Sequence, residues 1–395
     1  MFKELKRMVY TVTDLAAAKA WYADLLGSPP LFDAPFAAIF AVGDGSLTLT
    51  GGVPADPAAT GGPVAYWEVD DIDAALAGLL ERGARQTAPV SAALGVRTAQ
   101  VADPFGNRIG ITDAGAPASR GGVGEKPSET AMTVAFCRAL AALEERPELR
   151  GPDYLAGIFL RPEARSLLET REKRRWAVEN LVTEPLYGYF LARTAWLDAC
   201  FLDACREGLP QIVLLGAGYD TRALRYRNEL GGTRVFEMDI KTTQERKAAR
   251  LREAGIDLPP GLVHAPIDFE AEKPEDALFR AGYDPELRTL FLWEGVMYYL
   301  TRGTVEGMLR FLSAQAPGGR LCFDCMREKL QSVNPAEPFL FWAEPDDMDR
   351  MLAAAGLRPT DRLDRDGMVR RYLSDADGHP LTPCLSAFSF CTAEI

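Results

Sequence analysis

The stretch QIVLLGAGYDTRALRYRNELGGTRVFEMDI, residues 211–240, constrains the fold of this chain more than any other. An apolar run leads into a glycine pair, Gly216 and Gly218, which a helix-like segment follows. A second apolar run then ends at two carboxylates, Glu237 and Asp239. Strand, glycine turn, helix and a second strand ending in an acid form a unit that holds nucleoside cofactors. The stretch therefore predicts a nucleoside site at the edge of a parallel sheet.

Further apolar runs alternate with helix-length segments on both sides of this unit. The predicted strands are residues 211–216, 233–239, 261–269, 288–295 and 318–325. Such alternation is typical of an α/β, Rossmann-like doubly wound parallel sheet, which binds its ligands at the carboxyl ends of the strands. We expect this domain to cover residues 128–395.

Four consecutive predicted strands end in glycine or polar residues, and a glycine pair alone would be a weak signal. The candidate binding residues are Gly216, Ala217, Gly218, Glu237, Asp239, Asp268, Phe269 and Glu294. The glycines let the backbone approach a ligand closely. A carboxylate about 20 residues after the glycine turn is placed to accept hydrogen bonds from ribose hydroxyls. Alternation puts Glu237 and Asp239 on one strand face, so the sequence does not decide between them.

The glycine turn also indicates which cofactor is bound. Thr221 stands where a dinucleotide fingerprint has its third glycine, and Asp220 would repel a pyrophosphate. S-adenosylmethionine has no phosphate, and its sulfonium and amino groups are cationic. The acidic turn therefore favours S-adenosylmethionine over a nicotinamide cofactor, which stays a weaker alternative.

The N-terminal part of the chain has a different pattern. A segment rich in Gly, Ala, Pro and Ser predicts a linker over residues 116–127, between a domain of residues 1–115 and the larger one. Residues 9–27 resemble residues 65–83, so we expect two β-α-β-β-β modules that share one sheet.

Local signals refine this prediction. Asp14 and Asp71 are placed to cap the two helices. In the turn DPFGN, Gly106 and Asn107 suit a positive φ.

The segments VTDL, WYADLLG and DPFGNRIGI make residues 3–114 resemble the glyoxalase/bleomycin-resistance group of the vicinal oxygen chelate superfamily. The resemblance implies an α+β domain of paired modules in which four strands often supply metal ligands. The corresponding positions are Arg7, Thr50, Val64 and Gly110. None suits a divalent ion, so we expect a domain without metal. Its aromatic residues line either an apolar ligand pocket or a packed core: Trp21, Phe36, Phe40, Tyr66 and Trp67.

Six segments in order make the second domain resemble the leucine carboxyl methyltransferase family, in particular its tetracenomycin-type polyketide O-methyltransferases. They are SETAMTVAFCRA, PLYGYFLARTAWLD, QIVLLGAGYDTRALR, VFEMDIKTTQERK, APIDFE and TLFLWEGVMYYLT.

The resemblance implies roles for residues of the site. Arg193 would hold the methionine carboxylate of the cofactor, and Gly216 would lie against its methionine part. Asp268 and Phe269 would flank the adenine, and Glu294 would approach the amino group.

The acceptor of the methyl group is less constrained. An ionised carboxylate needs no base, whereas a hydroxyl needs one within reach. Only two histidines, His264 and His379, are present, and we name no catalytic residue. Tyrosines near the predicted pocket mouth are expected to shape the acceptor site, and Arg222 could pair with an acidic substrate. The tyrosines are Tyr187, Tyr298 and Tyr299.

Composition limits the partners. The net charge of −12 and pI near 4.9 disfavour nucleic acid and anionic membranes. Seven scattered cysteines and a charged N-terminal segment unlike a signal peptide suggest a cytoplasmic protein. The leading hypothesis is an O-methyltransferase of a small, polyketide-like or aromatic metabolite, with a first domain for substrate binding or homodimerisation. The alternative is a resistance protein whose first domain sequesters a hydrophobic compound.

Overall fold

The computed structural model describes residues 7–30, 32–34, 37–42, 45–51, 64–93, 96–113, 129–330 and 338–395. These residues form two compact units, one up to residue 113 and the other from residue 129 onward. The predicted linker, residues 116–127, and Phe36 lie outside the described residues, so the domain boundaries stay a prediction.

The N-terminal unit repeats one arrangement of strands and helix. Its elements are β1 (Arg7–Val12), α1 (Leu15–Leu26), β2 (Phe32–Ala34), β3 (Ala37–Val42), β4 (Gly45–Gly51), β5 (Ala65–Glu68), α2 (Ile72–Glu81), β6 (Arg85–Ala93), β7 (Val96–Ala102) and β8 (Arg108–Asp113). The strand orders β1-β4-β3-β2 and β5-β8-β7-β6 are the same in both halves, which confirms the β-α-β-β-β repeat.

The prediction that the two modules share one sheet was wrong for the described strands, which form two separate four-stranded sheets. Each module pairs its first strand in parallel with its own last strand, so the hydrogen bonds of each ladder are made within the module. The modules share a hydrophobic core instead, to which both helices contribute, with Tyr22 from α1 and Ile72 from α2.

The local signals behave largely as expected. Asp14 accepts a hydrogen bond from the amide of Ala17, and Asp71 accepts from those of residues 73 and 74, so both cap a helix. Gly106 has φ of 89°. Asn107 does not have the expected positive φ, because its backbone and side-chain amides donate to the carboxylate of Asp103 in an ordinary turn conformation.

The C-terminal unit alternates strands with helices. Its elements are α3 (Glu129–Ala142), α4 (Pro162–Ser166), α5 (Arg171–Ala177), α6 (Glu184–Arg206), β9 (Gln211–Leu215), α7 (Arg222–Arg225), β10 (Arg234–Asp239), α8 (Lys241–Glu253), β11 (Leu262–Pro266), α9 (Pro274–Arg280), β12 (Thr289–Trp293), α10 (Arg302–Ser313), β13 (Arg320–Met326), α11 (Pro345–Ala355), β14 (Arg358–Leu363), α12 (Arg365–Tyr372) and β15 (Phe388–Glu394). Short helical turns also occur at Pro147–Leu149, Ala156–Phe159, Val178–Val182 and Met297–Tyr299.

The strands form one seven-stranded sheet in the order β11-β10-β9-β12-β13-β15-β14. The five predicted strands, β9 to β13, are all present and parallel. The sheet as a whole is mixed, because β15 runs antiparallel between β13 and β14. Antiparallel edge strands are common on doubly wound sheets.

The burial of strand β9 shows that both faces of the sheet are covered. All five residues of β9 are buried. Ile212 and Leu214 belong to one hydrophobic cluster, whereas Val213 and Leu215 belong to another. Alternate side chains thus pack against helices on opposite faces, as a doubly wound sheet requires. Among the described residues, no helix has both the length and the apolar character that a membrane crossing needs.

Candidate functional site

The glycine turn after β9 is fixed to the end of β10. The amides of Gly216 and Ala217 each donate to the carbonyl of Met238 at 2.9 Å. The amide of Gly218 donates to Oδ2 of Asp239 at 2.7 Å. Gly216 has φ of 76°, and a Cβ there would overlap Cγ2 of Val296. The turn therefore presents backbone where a side chain cannot fit, and a carboxylate lies beside it.

Glu237 and Asp239 serve different purposes. Glu237 is buried, and both its carboxylate oxygens lie 2.7 Å from Nζ of the fully buried Lys247. Asp239 instead accepts hydrogen bonds from the amides of Gly218 and Ile240. Burial raises the pKa of Asp239 to about 6. Of the two acids, only Asp239 has its carboxylate at the glycine turn.

Nine charged side chains form a continuous set of buried ion pairs beside the turn, which we call the buried charge network. Its members are Arg138, Asp153, Arg193, Asp198, Asp220, Arg222, Arg225, Glu294 and Asp324. The network joins α3 and α6 to the loops after β9 and β12 and to β13. It fixes the relative positions of elements that meet at the carboxyl edge of the sheet.

Glu294 lies between two guanidinium groups. Its Oε1 is 3.1 Å from Nε of Arg193, and its Oε2 is 2.8 Å from Nη1 of Arg222. Burial opposes ionisation of Glu294, but Arg222 and Arg193 outweigh it and lower the pKa of Glu294. The side chain of Glu294 is 13% exposed, whereas its two arginine partners are at most 2% exposed. Glu294 is thus an ionised, fixed carboxylate that keeps some access to a ligand.

Arg193 is held within the protein by several acceptors. Its Nη1 lies 3.2 Å from Oδ2 of Asp324, and it donates to the hydroxyls of Tyr189 and Tyr298. Asp324 also accepts a hydrogen bond from the amide of Gly295 at 2.6 Å. Arg193 therefore supports the loop that carries Glu294, directly through Glu294 and indirectly through Asp324.

Arg222 is 2% exposed and contacts three carboxylates, those of Asp198, Asp220 and Glu294. Its Nε lies 2.7 Å from Oδ1 of Asp198. These contacts make Arg222 a structural partner of Glu294, and the suggestion that Arg222 pairs with an acidic substrate gains no support from them.

The predicted adenine neighbours lie at the end of β11. Register aligns Asp239 with Pro266, the last residue of β11, so Asp268 and Phe269 follow directly at the same edge. Both side chains are half-buried, and Oδ1 of Asp268 accepts a hydrogen bond from the amide of Glu270 at 3.0 Å.

The three candidate tyrosines differ in accessibility. Tyr187 and Tyr298 are buried, and burial raises the pKa of each hydroxyl. Tyr299 is half-buried, with its ring 4.9 Å from that of Tyr298 and 5.3 Å from that of Phe339. A raised pKa makes Tyr187 and Tyr298 poor bases at neutral pH.

Sequence reasoning missed the partners that hold the site together. Asp324 and Asp198 each pair with an arginine of the network, and Lys247 pairs with Glu237. A signal did exist for Asp324, because it interrupts the apolar strand RLCFDCM, where an acid needs a partner.

In the N-terminal unit, Gly110 stands at one of the positions where the resembled family often has a metal ligand. The ring of Tyr66 covers Gly110, where a Cβ would lie 2.6 Å from Cδ1 of the ring. The hydroxyl of Tyr66 accepts from Gln100 at 2.5 Å, and Gln100 accepts from Arg108 at 2.7 Å. Thr50 donates to the carbonyl of Tyr10 at 3.4 Å, and Val64 is half-buried. The side chain of Arg7 lies outside the description.

The aromatic residues of this unit are not all in the core. Phe40 is fully buried in the core, and Trp21 packs against Tyr22 and Phe105. Tyr66 is 46% exposed.

Comparison with known proteins places both units in families. Residues 131–313 match the family described as Leucine carboxyl methyltransferase, and residues 4–111 match the Glyoxalase/Bleomycin resistance protein/Dioxygenase superfamily.

Two curated relatives match a little under half of the chain. A "Putative S-adenosyl-L-methionine-dependent methyltransferase" of Mycobacterium ulcerans is 35% identical over 45% of this chain and 58% of its own length. A relative of Streptomyces avermitilis with the same description is 34% identical over 48% of this chain and 65% of its own length. The chain thus spans less than two thirds of the length of these relatives.

A solved structure described as a putative methyltransferase from Thermobifida fusca covers 68% of this chain and 95% of its own, with 14% identity and a TM-score of 0.45. The family matches agree with both resemblances found in the sequence. The chain therefore joins a glyoxalase/bleomycin-resistance domain, residues 4–111, to a leucine carboxyl methyltransferase domain, residues 131–313.

Proposed function

We propose that this protein is an S-adenosylmethionine-dependent O-methyltransferase that acts on a carboxyl or hydroxyl oxygen of a small, polyketide-like or aromatic metabolite. One observation carries the proposal: Asp239 is hydrogen-bonded to Gly218 in the glycine turn, and Gly216 of the same turn packs against Val296, two residues after Glu294. The names of the curated relatives support methyl transfer from S-adenosylmethionine and name no acceptor.

The residues present fit this cofactor. Gly216 has no room for a Cβ, so the turn offers bare backbone to a ligand. Asp239 would accept hydrogen bonds from the ribose hydroxyls, since Glu237 is occupied by Lys247. Asp268 and Phe269 would flank the adenine. Asp220 lies in the turn, which disfavours a pyrophosphate and therefore a dinucleotide.

Two fixed charges would orient the amino-acid end of the cofactor. Arg193 would bind the carboxylate, and Glu294 would accept from the ammonium group. Both side chains are held by the buried charge network; Glu294 is 13% exposed, whereas Arg193 is 1% exposed and would have to open towards the ligand. When bound, S-adenosylmethionine supplies an activated methyl group on its sulfonium. The contribution of the protein is alignment of an acceptor oxygen behind that methyl group.

The environment of the tyrosines favours a carboxylate acceptor over a hydroxyl. Tyr187 and Tyr298 have raised pKa values, and His264 lies on β11 next to Glu237 and Lys247. Burial lowers the pKa of His264, which is half-buried at the middle of the edge strand β11 rather than at the carboxyl end of that strand. A carboxylate acceptor needs no proton removed, so these positions would suit it without a general base.

The first domain would then bind the acceptor or join two copies of the chain into a homodimer. The alternative function, sequestration of a hydrophobic compound, is favoured by one observation. The ring of Tyr66 is 46% exposed and held in place by Gln100, as a stacking platform for a planar compound would be.

The test is methyl transfer from S-adenosylmethionine to a panel of aromatic carboxylic acids, their methyl esters and matched phenols, read by mass spectrometry. We expect the acids to gain one methyl group and the esters to gain none. Gain of a methyl group by the phenols alone would show that the acceptor is a hydroxyl oxygen. Tight binding of an aromatic compound that is independent of the cofactor, with no transfer to any acceptor, would favour the alternative.

A further inference from the structure

The buried charge network has unequal numbers of positive and negative groups. It contains four guanidinium groups and five carboxylates. Arginine stays protonated in proteins. Arg222 lowers the pKa of both Asp198 and Asp220 against the effect of burial, so both are ionised at neutral pH. Asp153 and Asp324 each accept hydrogen bonds from backbone amides and pair with an arginine of the network. One carboxylate of the network is therefore not balanced within it.

Among the described residues, neighbouring charges do not remove this excess. Lys247 is fully buried, but its charge is balanced by Glu237, with which it pairs at 2.7 Å. Asp239, at the glycine turn, forms no ion pair with a described residue and so adds negative charge at the same place. A charge that is buried without a partner is costly, and it favours a ligand that brings the opposite charge.

The two forms of the cofactor differ in this property. S-adenosylmethionine carries an ammonium, a carboxylate and a sulfonium, so its net charge is +1. S-adenosylhomocysteine has a neutral thioether and no net charge. Contacts to adenine, ribose, carboxylate and ammonium are common to both ligands. Only S-adenosylmethionine has the sulfonium, whose positive charge can balance the excess carboxylate.

We propose that the buried charge network makes the site select the cationic methyl donor over its neutral product, with Asp220 as a specificity-determining residue. This inference rests on the proposed function. Asp220 lies in the glycine turn, where its Oδ1 accepts from the amide of Arg222 at 2.7 Å and its Oδ2 pairs with Nη1 of Arg222. Loss of its charge would leave four guanidinium groups facing four carboxylates, and the turn would be fixed by the remaining hydrogen bonds.

Calorimetric titration of the full chain tests the proposal with three ligands. They are S-adenosylmethionine, S-adenosylhomocysteine and sinefungin, in which a protonated amine on carbon replaces the methylsulfonium. One unbalanced charge in a partly shielded site is worth about tenfold in affinity. We expect the wild type to bind both cations about tenfold more tightly than S-adenosylhomocysteine.

Three variants locate the effect. Asp220→Asn should weaken the two cationic ligands and leave S-adenosylhomocysteine unchanged, so that the preference nearly disappears. Asp220→Glu keeps the charge and should keep the preference. Asp203→Asn removes an exposed carboxylate from α6 and should change nothing.

Equal affinity of the wild type for all three ligands would overturn the inference, and this comparison decides even where Asp220→Asn does not fold. So would a uniform loss for all ligands in Asp220→Asn, which is the result of a purely structural role. Binding of the ligands without preference leaves the proposed function standing. Binding of none by folded wild type would overturn both.

Discussion

The carboxylate of Asp239 lies 2.7 Å from the amide nitrogen of Gly218, so the last residue of β10 holds the turn that follows β9. The register of the two strands makes this contact possible, because Met238 is aligned with Leu215. We propose that the same carboxylate binds the ribose hydroxyls. Stability of the turn and recognition of the ligand would then depend on one side chain, which is half-buried and has no cationic partner among the described ion pairs.

This arrangement predicts a dependence of stability on pH. Burial raises the pKa of Asp239 from 3.8 in the unfolded chain to about 6. The folded state therefore holds the proton more tightly, and stability falls as the pH rises from about 4 to about 6. The shift corresponds to at most about 3 kcal/mol. In urea unfolding across this range, the stability of wild type relative to Asp239→Asn should fall as the pH rises. Parallel pH profiles for the two proteins would contradict the prediction.

Ligand binding should follow the opposite trend. An ionised carboxylate accepts hydrogen bonds from ribose hydroxyls better than a protonated one. The affinity of the wild type for S-adenosylhomocysteine should therefore rise as the pH increases through about 6. In Asp239→Asn the affinity should be lower and nearly independent of pH, as measured by titration calorimetry.

Gly216→Ala should destabilise the C-terminal domain for two reasons. Its φ of 76° strains any other residue, and the new Cβ would overlap Val296. Together these effects cost about 2–4 kcal/mol. Gly255→Ala is a matched control, because Gly255 has φ of 69° but open space around it, so only the strain of about 1 kcal/mol applies. Equal losses in the two variants, measured by chemical denaturation, would show that Val296 does not restrict the turn.

Lys247→Met should be far more damaging than the double variant with Glu237→Leu. The single change leaves a buried carboxylate unpaired, which costs about 3–5 kcal/mol, whereas removal of both charges is often close to neutral. The double variant should also retain affinity for the cofactor, because Asp239 alone is assigned to the ribose. Loss of binding by a stable double variant would return the ribose role to Glu237.

In the first domain, Gly110→Ala should destabilise through the ring of Tyr66, whose Cδ1 would be 2.6 Å from the new Cβ. The cost of such overpacking is about 1–3 kcal/mol. Combination with Tyr66→Ala should recover most of it, which a double-mutant cycle in thermal unfolding measures. Additive losses would mean that Tyr66 does not limit this position.

The sequence identified those parts of the fold that burial makes apolar. Strands β9 and β12 are buried at every position, so each could be recognised in the sequence as a continuous apolar run. Strand β14 was missed because four of its six residues are exposed and polar, and only its pairing with β15 makes it a strand. The division of the first domain into two sheets was likewise invisible, since a repeat specifies each module but not how the modules combine.

The residues of the candidate site could be predicted from the sequence to a similar extent. Motifs singled out Gly216, Asp239 and Glu294, because backbone approach and carboxylates are required at strand ends. The choice between Glu237 and Asp239 needed Lys247, which is ten positions along the chain on another element. Asp324 and Asp198 pair with arginines that are distant in sequence, and spacing carries no trace of such pairs.

Calorimetric titration of S-adenosylmethionine into wild type and Asp239→Ala, with NADH as a control ligand, tests the central claim most directly. We predict micromolar binding of S-adenosylmethionine by wild type, a loss of at least tenfold in the folded variant, and no binding of NADH. Binding of NADH by folded wild type, or no binding of S-adenosylmethionine, would contradict the assignment of the glycine turn and Asp239 to a methyl-donor site.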